Sequence, residues 1–396
     1  MNLKCKNKIE NFLTKNNLVD HYNILELLEE QNLENIIDKL ETFPQDELTN
    51  FALECVCEEF LITASYKIER TGMKLGLHRM EHVLALFNNP ERDLKVIHVA
   101  GTNGKGSTCS YIKDILKTKY RVGLYSSPGM LSFNDRIRVN NDFIPYKEAY
   151  RLFKEVVKVY DTNNPDPSDK LSFFEIITAV ALLYFRDQKT DFVIMEVGLG
   201  GRYDGTNIFK EKLLSIITKI GLDHTAILGD SLEKIAYEKA GIIQKNDNVL
   251  IYPADNSVVN VISNICKEKN ANFSILDEHN IEIKDIGAHG NKFSFRNIDY
   301  TTKMVGQHQI YNACLALAAI FNLRSRGIID IDDKTISSTL ALSTWAGRLE
   351  WIRPNILLDG AHNNDGIGSL VNYLSANNFP KLKILLGILE DKDYKD

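Results

Sequence analysis

The segment Val96-Ile-His-Val-Ala-Gly101-Thr-Asn-Gly104-Lys105-Gly106-Ser107-Thr108 decides the fold. An apolar run closes on three glycines within six residues, and STCSYIKDILKTKY (107–120) follows with apolar residues at helical spacing. Such a strand, turn and helix leave backbone amides and a helix N-terminus facing one point, where an anion is stabilised. Lys105 adds a mobile cation suited to β- and γ-phosphates. The string is not a strict GxxxxGK[ST] loop, because Val99 stands where its first glycine would be and Gly106 separates Lys105 from Ser107. Phosphate binding is nonetheless the reading that a glycine turn between strand and helix favours.

Outward from this loop the same theme repeats. RVGLYSS (121–127), DFVIMEVGLGG (191–201), LLSIITKIG (213–221) and DNVLIYPA (247–254) are short apolar runs closed by turns. Between them lie FFEIITAVALLYFRDQ (173–188) and SLEKIAYEKAGIIQ (231–244), both with helical periodicity. Alternating strands and helices predict an α/β fold whose parallel sheet is covered on both faces, with ligands beyond the carboxyl ends of the strands. Residues 273–305 alternate differently and predict a small antiparallel β insertion. A long helix (309–327) follows, then a strand in NILLDGAH (355–362), a helix in 365–378 and a strand in KLKILLGIL (381–389). Residues 1–62 read as helices without chemistry.

Bulk properties narrow the function. A net charge of -6 argues against a nucleic-acid partner, which selects a basic face. No apolar run approaches the roughly 18 residues that span a bilayer, and the first residues lack a secretory pattern. The six cysteines form no CxxC pair, so neither a disulfide framework nor a zinc site is expected. The expected setting is a monomer in the cytoplasm.

Further strings sit at the predicted strand ends: LYSSPGMLSFNDRIRVN (124–140), MEVGLGGRYDGTN (195–207), IGLDHTAILG (220–229), AYEKAGII (236–243), GQHQIYNA (306–313), WAGRLE (345–350) and LLDGAHNNDG (357–366). In this order they resemble the folylpolyglutamate synthase and dihydrofolate synthase family of the Mur ligase superfamily, over about residues 66–396. The resemblance implies a P-loop-type ATPase domain over 63–338, a partial Rossmann-like glutamate-ligase domain over 339–396, and the helical extension 1–62. It implies an ATP-dependent ligase joining L-glutamate to dihydropteroate or a reduced folate through an acyl phosphate.

Residue by residue, Gly101, Thr102, Asn103, Gly104, Lys105, Gly106 and Ser107 would hold the ATP phosphates, with Asn312, Arg348 and Asp359 reaching ATP from the far side. Ser127, Glu196 and His224 match magnesium positions, and Lys239 matches the lysine that carbon dioxide converts to a carbamate, ligating a second Mg2+. His362 falls near the incoming glutamate. Leu171, Ser172, Phe173 and Phe174 match the stretch that contacts the pterin, although two adjacent helical phenylalanines cannot both face a pocket squarely, which favours a core role. The other histidines, His21, His78, His98, His279 and His289 among them, read as ordinary. Departures are Ala346 in WAGR and Tyr203 and Gly205 in GGRYDGTN. The closing LLGILEDKDYKD lies, in the family, inside the C-terminal domain, so that domain is expected to be incomplete. Three rival readings stand beside it: a Mur ligase for cell-wall precursors, poorly served by the short segment before Lys95; a regulatory module switched by ATP; and a folded but inactive protein, if the C-terminal domain is short.

Overall fold

The computed structural model describes residues 3–388, except 17, 21, 31, 70–75, 378 and 380. His21 and the closing residues 389–396 therefore lie outside the described residues. Among the described residues the main sheet has eight strands: β1 (Val96–Ala100), β2 (Val122–Tyr125), β3 (Ile137–Val139), β4 (Asp142–Phe143), β5 (Phe192–Glu196), β6 (Leu214–Ile217), β7 (Asn248–Ile251) and β8 (Asn272–Ile275). Their order is β4-β3-β2-β5-β1-β6-β7-β8. β1 lies between β5 and β6, parallel to both, and every residue of it is buried. That is why its sequence is continuously apolar rather than alternating.

The expected parallel sheet is present, with antiparallel pairs added at one edge: β2 with β3, and β3 with β4. At the other edge, the start of the predicted insertion is corrected. FSIL (273–276) falls largely in β8, which pairs parallel with β7. Its half-exposed residues gave it the look of an antiparallel segment, which an edge strand with one open side shares. The insertion proper is the antiparallel sheet of β9 (Ile281–Gly287), β10 (Gly290–Phe295) and β11 (Ile298–Thr302).

The N-terminal helices are α1 (Leu3–Asn16), α2 (Ile24–Leu27), α3 (Leu33–Thr42) and α4 (Glu47–Glu69). Ile9, Ile36, Leu40, Leu53 and Val56 close a small core that also takes Tyr150. α4 continues through residue 62, where the sequence reading ended the extension. Next come α5 (His78–Leu86), α6 (Lys105–Leu116) and α7 (Tyr146–Asn163). Glu54 of α4 accepts the Tyr146 and Lys147 backbone N–H groups at 2.7 and 3.2 Å, placing a carboxylate on the α7 N-terminus.

The remaining helices are α8 (Phe173–Asp187), α9 (Thr225–Leu228), α10 (Leu232–Lys239), α11 (Asn256–Glu268), α12 (Gln307–Ser325), α13 (Asp333–Leu340) and α14 (Asn364–Ala376). The period-2 alternation of β1 sorts its residues between the layers: Ile97 and Val99 pack with α6 and α12, Val96 with α5, α7 and α8. The insertion covers the first layer, where Phe295 stacks on Phe321 with ring centroids 6.3 Å apart.

The C-terminal segment differs from its prediction. NILLDGAH supplies only β13 (Ile356–Leu358), which pairs antiparallel with β12 (Glu350–Arg353) in a hairpin. KLKILLGIL forms no strand over its described residues 381–388. The unit packs on the main body through Val305, Leu349 and Tyr373, and the Trp351 indole N–H and Tyr373 hydroxyl both donate to the Ala288 carbonyl. Among the described residues no helix is long and apolar enough to cross a membrane.

Candidate active site

Four chain turns meet beyond the carboxyl ends of β1, β2, β5 and β6, around a cavity of about 180 Å³. The glycine-rich turn forms its floor. Gly104, at φ 89°, is the cap of α6, and a Cβ there would lie 2.4 Å from Asn312 Oδ1. Only glycine combines that backbone angle with so close an approach. The Lys105 ammonium lies back over the turn and donates to the carbonyls of Gly101 (3.0 Å) and Thr102 (3.3 Å).

The second wall carries the residues for which metal ligation was expected. Ser127 lies two residues beyond the β2 end, and its buried hydroxyl has no hydrogen-bond partner among the described residues. Glu196 ends β5, 5% exposed, and burial pushes its carboxyl up to about 7 against the opposing pull of Lys105, Arg348 and the Ser127 backbone N–H. His224 sits at φ 49° before α9, half-exposed, with Nε2 3.8 Å from Asp223 Oδ1. Lys239 closes α10, 4% exposed, and donates to the Gly101 carbonyl at 2.9 Å. Burial, reinforced by the Lys105 charge, drives its ammonium down to about 7. Near neutral pH much of this amine is free base, the form that combines with carbon dioxide. Among the described residues no group of three or more His, Cys, Asp or Glu side chains is gathered so as to hold a metal ion by themselves. A hydroxyl without a partner beside a buried carboxyl is instead a fit for a hard, oxygen-seeking cation that keeps its waters.

The far wall comes from α12 and the C-terminal unit. Asn312 donates to Gln309, whose amide donates to the Ser107 hydroxyl, both at 3.1 Å, so α12 is tied to the glycine turn. Asp359 accepts the backbone N–H groups of Leu349 (2.8 Å) and Ala361 (2.9 Å), bracing the loops that carry Arg348 and His362. Burial raises its carboxyl. His308 is pushed down to about 4 by burial and by Arg348 and Lys219, so it is a neutral imidazole.

Every residue expected to touch ATP, metal or glutamate lines this one cavity: Gly101 to Ser107, Ser127, Glu196, His224, Lys239, Asn312, Arg348, Asp359 and His362. The expected pterin stretch does not join them. Leu171 and Phe173 are buried in the α7–α8 core, and Ser172 caps α8 in a reciprocal box with Glu175. Phe174 comes nearer, its ring against Gly198 behind the cavity. Sequence reading passed over Lys219, Asp223 and Asp365, which also line the space, and Asn363, which is bonded to Asp223 behind them. All four stood inside quoted strings, and their polar character beyond strand ends was the available signal.

A family profile of the Mur ligase middle domain matches residues 99–320. The chain is 37% identical over 338 residues to the dihydrofolate synthase/folylpolyglutamate synthase of Bacillus subtilis, covering 82% of this chain and 78% of that protein. The chain belongs to the folylpolyglutamate synthase and dihydrofolate synthase family. Solved structures of the family share its fold. The folylpolyglutamate synthase of Thermotoga maritima aligns with a TM-score of 0.71 at 30% identity, over 81% of this chain and 75% of that one. A folylpolyglutamate synthase complexed with AMPPCP and folate aligns with a TM-score of 0.71 at 28% identity, over 79% and 80%. Family membership removes the cell-wall ligase from consideration.

Proposed function

We propose that this cavity binds ATP and joins L-glutamate to dihydropteroate or a reduced folate, releasing ADP and phosphate. One observation carries the reading: the glycine turn, Ser127, Glu196, His224 and Lys239 open on the same space at the carboxyl ends of parallel strands. The turn amides, the α6 N-terminus and Lys105 hold the triphosphate, while Asn312, Arg348 and Asp359 contact the nucleotide from the far wall. A folate carboxylate oxygen attacks the γ-phosphorus, the bond to the bridging oxygen breaks, and ADP leaves. The glutamate amine then attacks the acyl carbon of the mixed anhydride. A C–N bond forms, the C–O bond to phosphate breaks, and the amine proton passes to solvent. Positioning and charge neutralisation supply the catalysis, and the far wall shields the anhydride from water.

Ser127, Glu196 and His224 would hold one magnesium ion and a carbamate on Lys239 a second, which when bound neutralise charge on the triphosphate. His362 faces the incoming glutamate. The reading extends to a three-part chain, with a helical extension to about 62, an ATP-binding domain to 338 and a glutamate-ligase segment beyond. It extends to a cytoplasmic monomer, a setting in keeping with six cysteines that are all unpaired and buried. ADP release with L-glutamate, comparing dihydropteroate against tetrahydrofolate, tests it. Release that needs both glutamate and a pterin acid supports the reading, and ATP hydrolysis indifferent to either contradicts it.

A further inference from the structure

Asn363 spends every hydrogen-bonding position of its amide. Its Nδ2 donates to Asp223 Oδ2 (2.9 Å) and to Asn103 Oδ1 (3.2 Å), and its Oδ1 accepts from Asn103 Nδ2 (3.2 Å) and the Gly366 N–H (2.9 Å). One side chain of the C-terminal unit thereby joins the glycine turn, the strand-end loop after β6 and the start of α14. An amide can turn over and exchange oxygen for nitrogen, and Asn103, itself an amide, would accept either orientation. Asp223 would not. Its carboxyl oxygen accepts from the Asn363 nitrogen while the Gly366 N–H, which can only donate, takes the Asn363 oxygen, so the two together set the orientation of the amide. Asp223 is held in turn by the His224 backbone N–H on Oδ1 (2.8 Å), and its Oδ2 lies 3.6 Å from His362 Nε2. A second tether runs in parallel, the 2.7 Å ion pair of Lys219 with Asp365.

We infer that Asp223 is a positioning residue: it fixes the Asn363 amide and, through it, holds residues 361–366 with His362 against the phosphate-binding turn. The inference rests on the proposed function, since that reading sets His362 against the incoming glutamate. Losing this anchor loosens the glutamate side, whereas the triphosphate keeps its own turn.

Steady-state ADP release by the full chain, with a saturating pterin acid, compares wild type with Asp223→Ala and Asp223→Asn. For Asp223→Ala the KM for glutamate rises about tenfold or more, the loss expected of a hydrogen bond to a charged group. The KM for ATP changes less than about threefold. Asp223→Asn recovers most of the loss, because its carboxamide oxygen still accepts from Asn363. The inference is overturned if Asp223→Ala leaves the glutamate KM within about twofold of wild type, if both KM values rise together, or if Asp223→Asn is no better than Asp223→Ala. A wild-type enzyme whose ADP release ignores glutamate would instead remove the functional reading beneath it.

Discussion

Lys239→Met is expected to make the protein inactive and, near neutral pH, more stable. In the fold the Lys239 ammonium titrates at about 7 rather than 10.5. At roughly 1.4 kcal/mol per unit, that depression corresponds to a penalty of order 5 kcal/mol for the buried charge. Methionine keeps an unbranched chain of similar length and carries no charge. It also gives up the bond to the Gly101 carbonyl, a loss of about 1–2 kcal/mol, although Lys105 still donates to that same oxygen. The net gain is about 3 kcal/mol. Its pH dependence follows from the sign of the shift. Between 7 and 10.5 the unfolded chain binds more protons than the folded one, so wild-type stability climbs with pH across that window. The penalty is complete below 7, and by about pH 9.5 it has fallen to roughly 1.4 kcal/mol, close to the lost hydrogen bond. Urea unfolding in nucleotide-free buffer purged of carbon dioxide measures both ends. The variant should have the higher midpoint at pH 6.5 and lose its advantage by pH 9.5. A lower midpoint at pH 6.5, or an advantage that pH does not alter, would refute the reasoning. Lys239→Ala, assayed for ligation, should be inactive and partly restored by short carboxylates in place of a carbamate.

Four further outcomes are expected. Glu196 and Lys239 both titrate near 7 and both serve the proposed chemistry only when deprotonated. At limiting magnesium kcat/KM should therefore fall as pH drops through 7, and Glu196→Gln should lose more than about a hundredfold in activity at pH 8, where the wild-type carboxyl is ionised; a flat profile would count against both assignments. Gly104→Ala places a Cβ 2.4 Å from Asn312 Oδ1 at φ 89°. It should cost about 1–2 kcal/mol in stability and raise the KM for ATP, with an unchanged KM as the contrary result. Ser172→Ala removes a helix cap and should lower stability by about 1 kcal/mol while leaving the KM for the pterin acid within roughly twofold, as initial rates would reveal. A larger KM change would return Ser172 to the substrate.

The legible parts of the fold were those with one dominant local cause. β1, β2, β5, β6 and β7 are buried on both faces, and burial writes itself as an apolar run. β3 and β4, of three and two residues, were not read because so short a pair carries no such run, and β8 was read into the insertion because, at the sheet edge, most of it is exposed. The glycine-rich turn was legible from glycine spacing, since close approach and a positive φ leave few other residues possible. Ser172 shows the reverse case. SFFE is also a helix-capping sequence, and the structure uses it as one, with Glu175 reaching onward to a buried bond with Arg79. Asp223 and Asn363 were missed because their bond joins residues 140 positions apart. No local periodicity encodes such a contact.

The central claim is a covalent one, that the pterin-linked acid passes through an acyl phosphate. With 18O in the accepting carboxylate, turnover with ATP and L-glutamate should transfer one labelled oxygen to each phosphate released. Phosphate free of label, recovered alongside the ligated product, would contradict the account.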